Sequence, residues 1–170
     1  NESRDRRRKR RPLSSQEIVA LINATLNGES HHGIEAHERA LVYRLALSTG
    51  LRYNEICTLA VTDFNLKSQT PSVTIRAENE KSGRGETLPL QKELAADLAE
   101  FFKNTGSAQE NSQISLFDQS LLSQKLAFPG MQPDKGADML HRDLDAAGVN
   151  WQTNEQGETV DFHSLRHTFG

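Results

Sequence analysis

Apolar residues in this chain keep helical spacing on both sides of one stretch that alternates, and that change of period constrains the fold most. Ile18, Leu21, Ile22 and Leu26 recur at three- and four-residue intervals. Ahead of them Ser14 and Glu17 form a capping box, Leu13 and Ile18 are placed to staple the entry, and Gly28 closes the segment. A second helix is predicted over residues 34–48, with Leu41, Val42, Leu45 and Ala46 inward and Gly50 as its stop. A short third helix over residues 54–60 presents Ile56 and Leu59. The period then changes. Val73 and Ile75 alternate with polar residues, and Thr87, Leu88 and Leu90 form a second extended stretch. Between them residues 78–85, with Gly83 and Gly85, suit a hairpin or a longer turn. Helical spacing resumes at Leu94, Leu98, Phe101 and Phe102, and again over residues 134–147 before Gly148. Residues 103–113 read as a polar loop, residues 149–162 as a small extended turn around Gln156 and Gly157, and His163 as the opening of another helix. Phe101, Phe102 and Phe117 have core-like spacing. The expected fold class is mainly α with a small antiparallel β-sheet.

Length and composition narrow the class. The 170 residues suit one ordinary domain. No apolar run approaches the roughly 18 residues of a membrane span, and the stretch 41–47 is broken by Arg44. The basic start lacks an apolar h-region, so no secretory signal is expected. The single cysteine, Cys57, excludes an internal disulfide, fits a reducing compartment and reads as a core thiol. Because the first residue is Asn1 rather than Met, the sequence is expected to be a fragment.

The formal net charge of −3 hides an asymmetry. Residues 1–11 hold seven basic and two acidic side chains, net +5, and the remainder holds thirteen and twenty-one, net −8. A basic arm thus precedes an acidic body. Such an arm is not expected to pack, and it reads as a polyanion contact built from Arg6, Arg7, Arg8, Lys9, Arg10 and Arg11. Nuclear targeting and simple solvation are its other readings.

Two separated segments carry chemistry. Residues 49–56 read Thr-Gly-Leu-Arg-Tyr-Asn-Glu-Ile, and residues 161–169 read Asp-Phe-His-Ser-Leu-Arg-His-Thr-Phe. With Lys81 in the hairpin between them, they resemble the tyrosine recombinase (phage integrase) family, whose motifs are T-G-L/M-R-x-x-E and H-x-L-R-H-T. The resemblance covers residues 13–170 and implies a recombinase catalytic domain, incomplete at its C-terminus. Residues 1–12 then resemble the linker to an N-terminal core-binding domain. Type IB topoisomerases share the chemistry, but the short H-x-L-R-H-T context looks like integrases.

The implied reaction is metal-free attack of a tyrosine hydroxyl on a phosphodiester, leaving a 3′-phosphotyrosyl link. Arg52 and Arg166 match the guanidinium pair that holds the phosphorane's non-bridging oxygens, a task suited to a permanently charged, bidentate group. Lys81 matches the hairpin lysine that protonates the departing 5′-oxygen. His163 matches the histidine that assists proton transfer at the nucleophile, and Glu55 the acid that positions its neighbours. Arg84 is a further candidate DNA contact and the fallback for Lys81, which on a polar turn could simply be solvated. Arg52 could likewise simply cap the preceding helix. Implied partners are double-stranded DNA and other protomers in a synaptic tetramer, with no cofactor, no membrane, and a cytoplasmic, nucleoid-associated location.

There are departures from the family pattern. The sequence stops at Gly170, before the second histidine or tryptophan and before the nucleophilic tyrosine. Tyr43 and Tyr53, its two tyrosines, lie in the wrong segment, so the fragment alone is expected to be inactive. Glu86 stands where relatives often carry a basic residue. The competing class is a non-catalytic DNA-binding protein that retains the fold. A third reading, a metal-dependent hydrolase, would use His163 and His167 at i, i+4, but no acid accompanies them as in the metalloprotease motif. His167 is instead expected to be a buried supporting residue. His31, His32 and His37 cluster without cysteines or a nearby carboxylate motif and read as surface residues.

Overall fold

Ser14 begins the first long helix as its sequence requires. In the computed structural model, which describes residues 9–77, 85–105 and 125–168, its hydroxyl accepts from the Glu17 N–H at 3.2 Å. The Glu17 carboxylate accepts from the Ser14 N–H at 2.8 Å, completing the capping box. The described elements are β1 (Lys9–Arg10), α1 (Ser15–Leu26), α2 (Ala36–Thr49), α3 (Tyr53–Thr58), a 3₁₀ turn (Val61–Asp63), β2 (Phe64–Asn65), β3 (Ser72–Ile75), β4 (Glu86–Pro89), α4 (Lys92–Asn104), α5 (Gly136–Ala146), β5 (Glu158–Thr159) and α6 (Phe162–His167). None of the described helices is long and apolar enough to cross a membrane. The chain divides into two compact units, one of residues 1–53 and 132–170 and the other of residues 54–131.

The first unit packs α1, α2, α5 and α6. Helix α2 is buried on nearly every side, with Leu41, Val42, Tyr43, Leu45 and Ala46 all inaccessible. It also buries a charge. Arg39 grips Asp143 of α5 bidentately, through Nε at 2.9 Å and Nη2 at 3.1 Å, and gives Nη1 to the Ile34 carbonyl at 2.9 Å. The Tyr43 hydroxyl donates to the same Asp143 oxygen at 2.7 Å. Gly28 lies close beside this network: a Cβ there would come within 3.2 Å of the Arg39 guanidinium, a tight contact. In α1 the inward face runs through Leu21 and Thr25 rather than out to Leu26, which is exposed. The Thr25 hydroxyl makes that possible by donating to the Leu21 carbonyl at 2.8 Å.

A second sheet, beyond the single antiparallel one expected, completes this unit. Strands β1 and β5 pair in parallel, Lys9 opposite Glu158 and Arg10 opposite Thr159. The basic segment was expected not to pack. Residues 9–11 do pack, because carboxylates meet each cation: Lys9 with Glu158 at 2.8 Å, Arg10 with Asp161 at 2.7 Å and Arg11 with Glu17 at 2.7 Å.

The second unit holds the expected antiparallel sheet in the order β2-β3-β4, with Phe64 opposite Val73 and Val73 opposite Leu88. Its core is aromatic. Phe102 of α4 meets Phe64 edge-on with centroids 5.2 Å apart, and Phe101 stacks on Phe128 at 6.0 Å. Asp63 fixes the turn into β2, accepting from the Ala60 N–H at 2.8 Å and from Arg76 Nε at 2.8 Å. Phe117 lies outside the described residues.

Candidate active site

Within the first unit, the two sequence segments that carry the arginines are folded together by their neighbours. Gly50 ends α2 in the left-handed conformation at φ 69°, its N–H donating to the Ala46 carbonyl at 2.9 Å. The Thr49 hydroxyl donates to the Leu45 carbonyl at 2.6 Å and accepts from the Leu51 N–H at 3.3 Å. With Thr49 and Leu51 both buried, the half-buried Arg52 leaves a turn fixed on either side.

Tyr53 makes the connection. Its hydroxyl donates to the Gln132 carbonyl at 2.8 Å, and its ring lies flat on Gly136, where a Cβ would come within 2.7 Å of three ring atoms. The ring then meets Phe162 edge-on with centroids 4.9 Å apart. The residue after Arg52 is therefore packed against the residue before His163.

Helix α6 is short and needs its ends held. Asp161 caps it, accepting from the Ser164 N–H at 3.2 Å, while Ser164 Oγ accepts from the Asp161 N–H at 3.1 Å. Phe162, Ser164 and Leu165 are buried, which leaves His163 and Arg166 half-buried at i, i+3 on one face. Residues 9–13 grip this helix at both ends. Arg10 binds the capping Asp161, and the Leu13 N–H donates to the Thr168 hydroxyl at 3.1 Å. Nothing in the sequence marked Arg10 or Asp161 for this, because the partners are 151 residues apart.

Burial holds the His163 imidazole below its ordinary pKa, and the charge of Arg10 adds to this against the opposing pull of Asp161. The neutral ring is thus the form favoured at neutral pH. His167, expected to be buried, is exposed instead; with Phe162, Ser164 and Leu165 facing inward, its position on so short a helix falls outward, its ring 5.6 Å from that of His163. Glu55 is buried in α3 and belongs to the second unit. Lys81, Arg84, Arg6, Arg7 and Arg8 lie outside the described residues. The remaining arm cations, Lys9, Arg10 and Arg11, are each engaged with a carboxylate, and of the three Lys9 is the most exposed.

The fold is shared with known recombinases. The XerA recombinase superposes with a TM-score of 0.63 at 19% identity, over 95% of this chain and 48% of that one. The XerH site-specific recombinase bound to its difH substrate before cleavage gives 0.63 at 18%, over 95% and 42%. The Tn1549 transposon integrase in complex with a circular intermediate DNA gives 0.66 at 15%, over 98% and 54%. The chain thus spans about half the length of these proteins or less. No curated protein sequence matches it. The model of the phage integrase family matches residues 11–170, and with the tyrosine recombinase catalytic-domain fold this makes the chain a member of the phage integrase family.

Proposed function

We propose that residues 13–170 belong to the catalytic domain of a site-specific recombinase that cuts and rejoins DNA through a 3′-phosphotyrosyl intermediate, with residues 1–12 leading in from another domain. The observation that carries this reading is the contact of Tyr53 with Phe162, which joins the Arg52 segment to the His163–Arg166 helix inside one unit. Arg52 and Arg166 hold the non-bridging oxygens as the phosphorane gains charge. Removing one such preorganised donor costs about 3–4 kcal/mol of transition-state stabilisation, or roughly 10²–10³ in rate.

The remaining roles follow the flow of protons. A tyrosine hydroxyl attacks phosphorus, its proton passing to the neutral His163, while the bond from phosphorus to the 5′-oxygen breaks and Lys81 protonates that oxygen. Glu55 positions neighbouring groups. Neither tyrosine of this sequence suits the attack, since both are buried and their hydroxyls are committed, Tyr43 to Asp143 and Tyr53 to the Gln132 carbonyl. The nucleophile therefore comes from outside these 170 residues. DNA duplex and further protomers in a synaptic tetramer are the partners in this reading, and the protein works in the cytoplasm at the nucleoid.

The test uses the full-length polypeptide with a suicide DNA substrate carrying its recombination site. A covalent protein–DNA adduct is expected, reduced at least about 10²-fold by Arg52→Ala or Arg166→Ala. An adduct indifferent to both substitutions overturns the reading. DNA binding with no adduct from the wild-type protein favours the second reading, a non-cleaving DNA-binding protein, which the committed tyrosine hydroxyls support.

A further inference from the structure

A strained turn in the first unit assembles a donor set that the DNA chemistry does not use. The turn over residues 31–34 is closed by reciprocal backbone bonds, His31 N–H to the Ile34 carbonyl and Ile34 N–H to the His31 carbonyl, both at 2.9 Å. Its central residues, His32 and Gly33, have φ of 52° and 76°, the signature of a type I′ turn, whose preferred pair is Asn-Gly. His32 is the one non-glycine residue at positive φ among the described residues. A histidine held where asparagine fits at less strain points to a use for the imidazole.

That use is visible in the geometry. The His31 and His32 rings lie with centroids 3.9 Å apart. Both Nε2 atoms reach the same oxygen of Asp138, in the first turn of α5, at 3.1 Å and 2.7 Å. The three donor atoms all fall within 4.8 Å of one another. The buried network fastens both halves of the cluster, since Arg39 holds the Ile34 carbonyl with one nitrogen and Asp143 of α5 with two others.

We propose that His31, His32 and Asp138 bind one divalent cation of the Zn²⁺ type, which clips the turn over residues 31–34 to α5. Two imidazole nitrogens and a carboxylate oxygen suit a borderline ion, whereas Mg²⁺ and Ca²⁺ call for oxygen donors throughout. Ligands about 2.0–2.1 Å from a tetrahedral ion stand about 3.3–3.4 Å from one another, so the histidine–Asp138 distances of 3.1 Å and 2.7 Å need to open by only about 0.3 and 0.7 Å to admit one. The Asp138 side chain is 59% exposed and His32 35%, which leaves them room to move and a fourth position open to water.

Arg142 opposes the ion. Its Nη1 donates to His31 Nδ1 at 2.9 Å, and a guanidinium can only donate, so His31 carries its proton on Nε2 and gives it to Asp138. Metal on Nε2 moves that proton to Nδ1 and displaces the exposed Arg142 side chain.

The experiment is calorimetric titration of the metal-stripped chain with ZnCl₂, paired with thermal unfolding with and without Zn²⁺. One Zn²⁺ per chain is expected, raising the unfolding temperature, with no competition from Mg²⁺. His32→Asn and Asp138→Asn should each weaken binding by more than about tenfold. Because Asn-Gly suits a type I′ turn, His32→Asn should unfold without metal at or above the wild-type temperature, which separates loss of a ligand from loss of the fold. Arg142→Ala should tighten binding. No Zn²⁺ binding by the wild-type chain, binding that survives His32→Asn, or equal binding of Mg²⁺ overturns the proposal.

Discussion

The two units bury their interiors by opposite means. In the first, α2 and α5 are joined through a charged cluster, Arg39 and Asp143 with the Tyr43 hydroxyl, all but inaccessible to solvent. In the second, the sheet and α4 meet over Phe64, Phe101, Phe102 and Phe128, and the Arg76–Asp63 pair sits at the rim with Arg76 partly exposed. Aromatic packing tolerates small displacements, because dispersion is non-directional and spread over many contacts. A bidentate ion pair with a third hydrogen bond accepts one geometry and penalises the rest. The unit that carries Arg52, His163 and Arg166 is thus the one whose helices are fixed in register by directional bonds.

The largest effect should come from splitting the charged cluster. Arg39→Ala leaves Asp143 buried without its guanidinium, and urea denaturation should report a loss of about 3–5 kcal/mol. Replacing the cluster as a whole, with Arg39→Met, Asp143→Leu and Tyr43→Phe together, should restore most of that stability. If the triple variant also lost function, the cluster would be shown to serve register rather than stability; a single variant within about 1 kcal/mol of wild type would erase the contrast between the units. Phe102→Ala, in the aromatic core, should cost about 3–4 kcal/mol through the cavity it leaves. No charge substitution should rescue it, and a rescue would break the comparison from the other side.

The smallest expected effect concerns Arg10. Removing it with Arg10→Ala takes away a cation that depresses His163 and leaves Asp161 free to raise it, so the imidazole's NMR titration midpoint should move up. The sign for stability follows. A histidine depressed in the folded state contributes stability above its unfolded pKa of about 6.5 and loses it as pH falls from there through the folded value. Arg10→Ala should therefore flatten the wild-type decline below about pH 6.5. An unmoved midpoint would show that burial alone sets the imidazole. For DNA affinity, neutralising Arg6, Arg7 and Arg8 is a cleaner test of the arm than deleting residues 1–11, since the deletion also removes the Arg10 and Arg11 ion pairs. Each lost phosphate contact should lower the salt slope by about 0.9.

Local signals in the sequence carried much of this fold. The Ser14–Glu17 capping box, the left-handed Gly50 and the alternation at Val73 and Ile75 each act within a few residues, so a reader of the chain meets both partners at once. Those signals placed α1, α2 and the sheet within a few residues, and helical spacing before Gly148 placed α5. What escaped was held by distant partners. Strands β1 and β5 have two residues each, too few to show a period. Arg39 and Asp143 are 104 positions apart, and each alone reads as a surface charge on a helix. His31 and His32 showed no carboxylate motif in the sequence because their partner, Asp138, arrives from a helix more than a hundred positions away. Arg52, His163 and Arg166 were legible by resemblance to a family pattern, and the aromatic contact that draws their segments together, Tyr53 on Phe162, was not.

Residues 9–13 also have a mechanical meaning. They run alongside β5, lock onto Asp161 ahead of α6 and onto Thr168 behind it, and then turn directly into α1. Tension drawn along the polypeptide before Lys9 would therefore reach both ends of a six-residue helix through these bonds. The segment that leads into α1 is thus tied to both ends of the helix bearing His163 and Arg166.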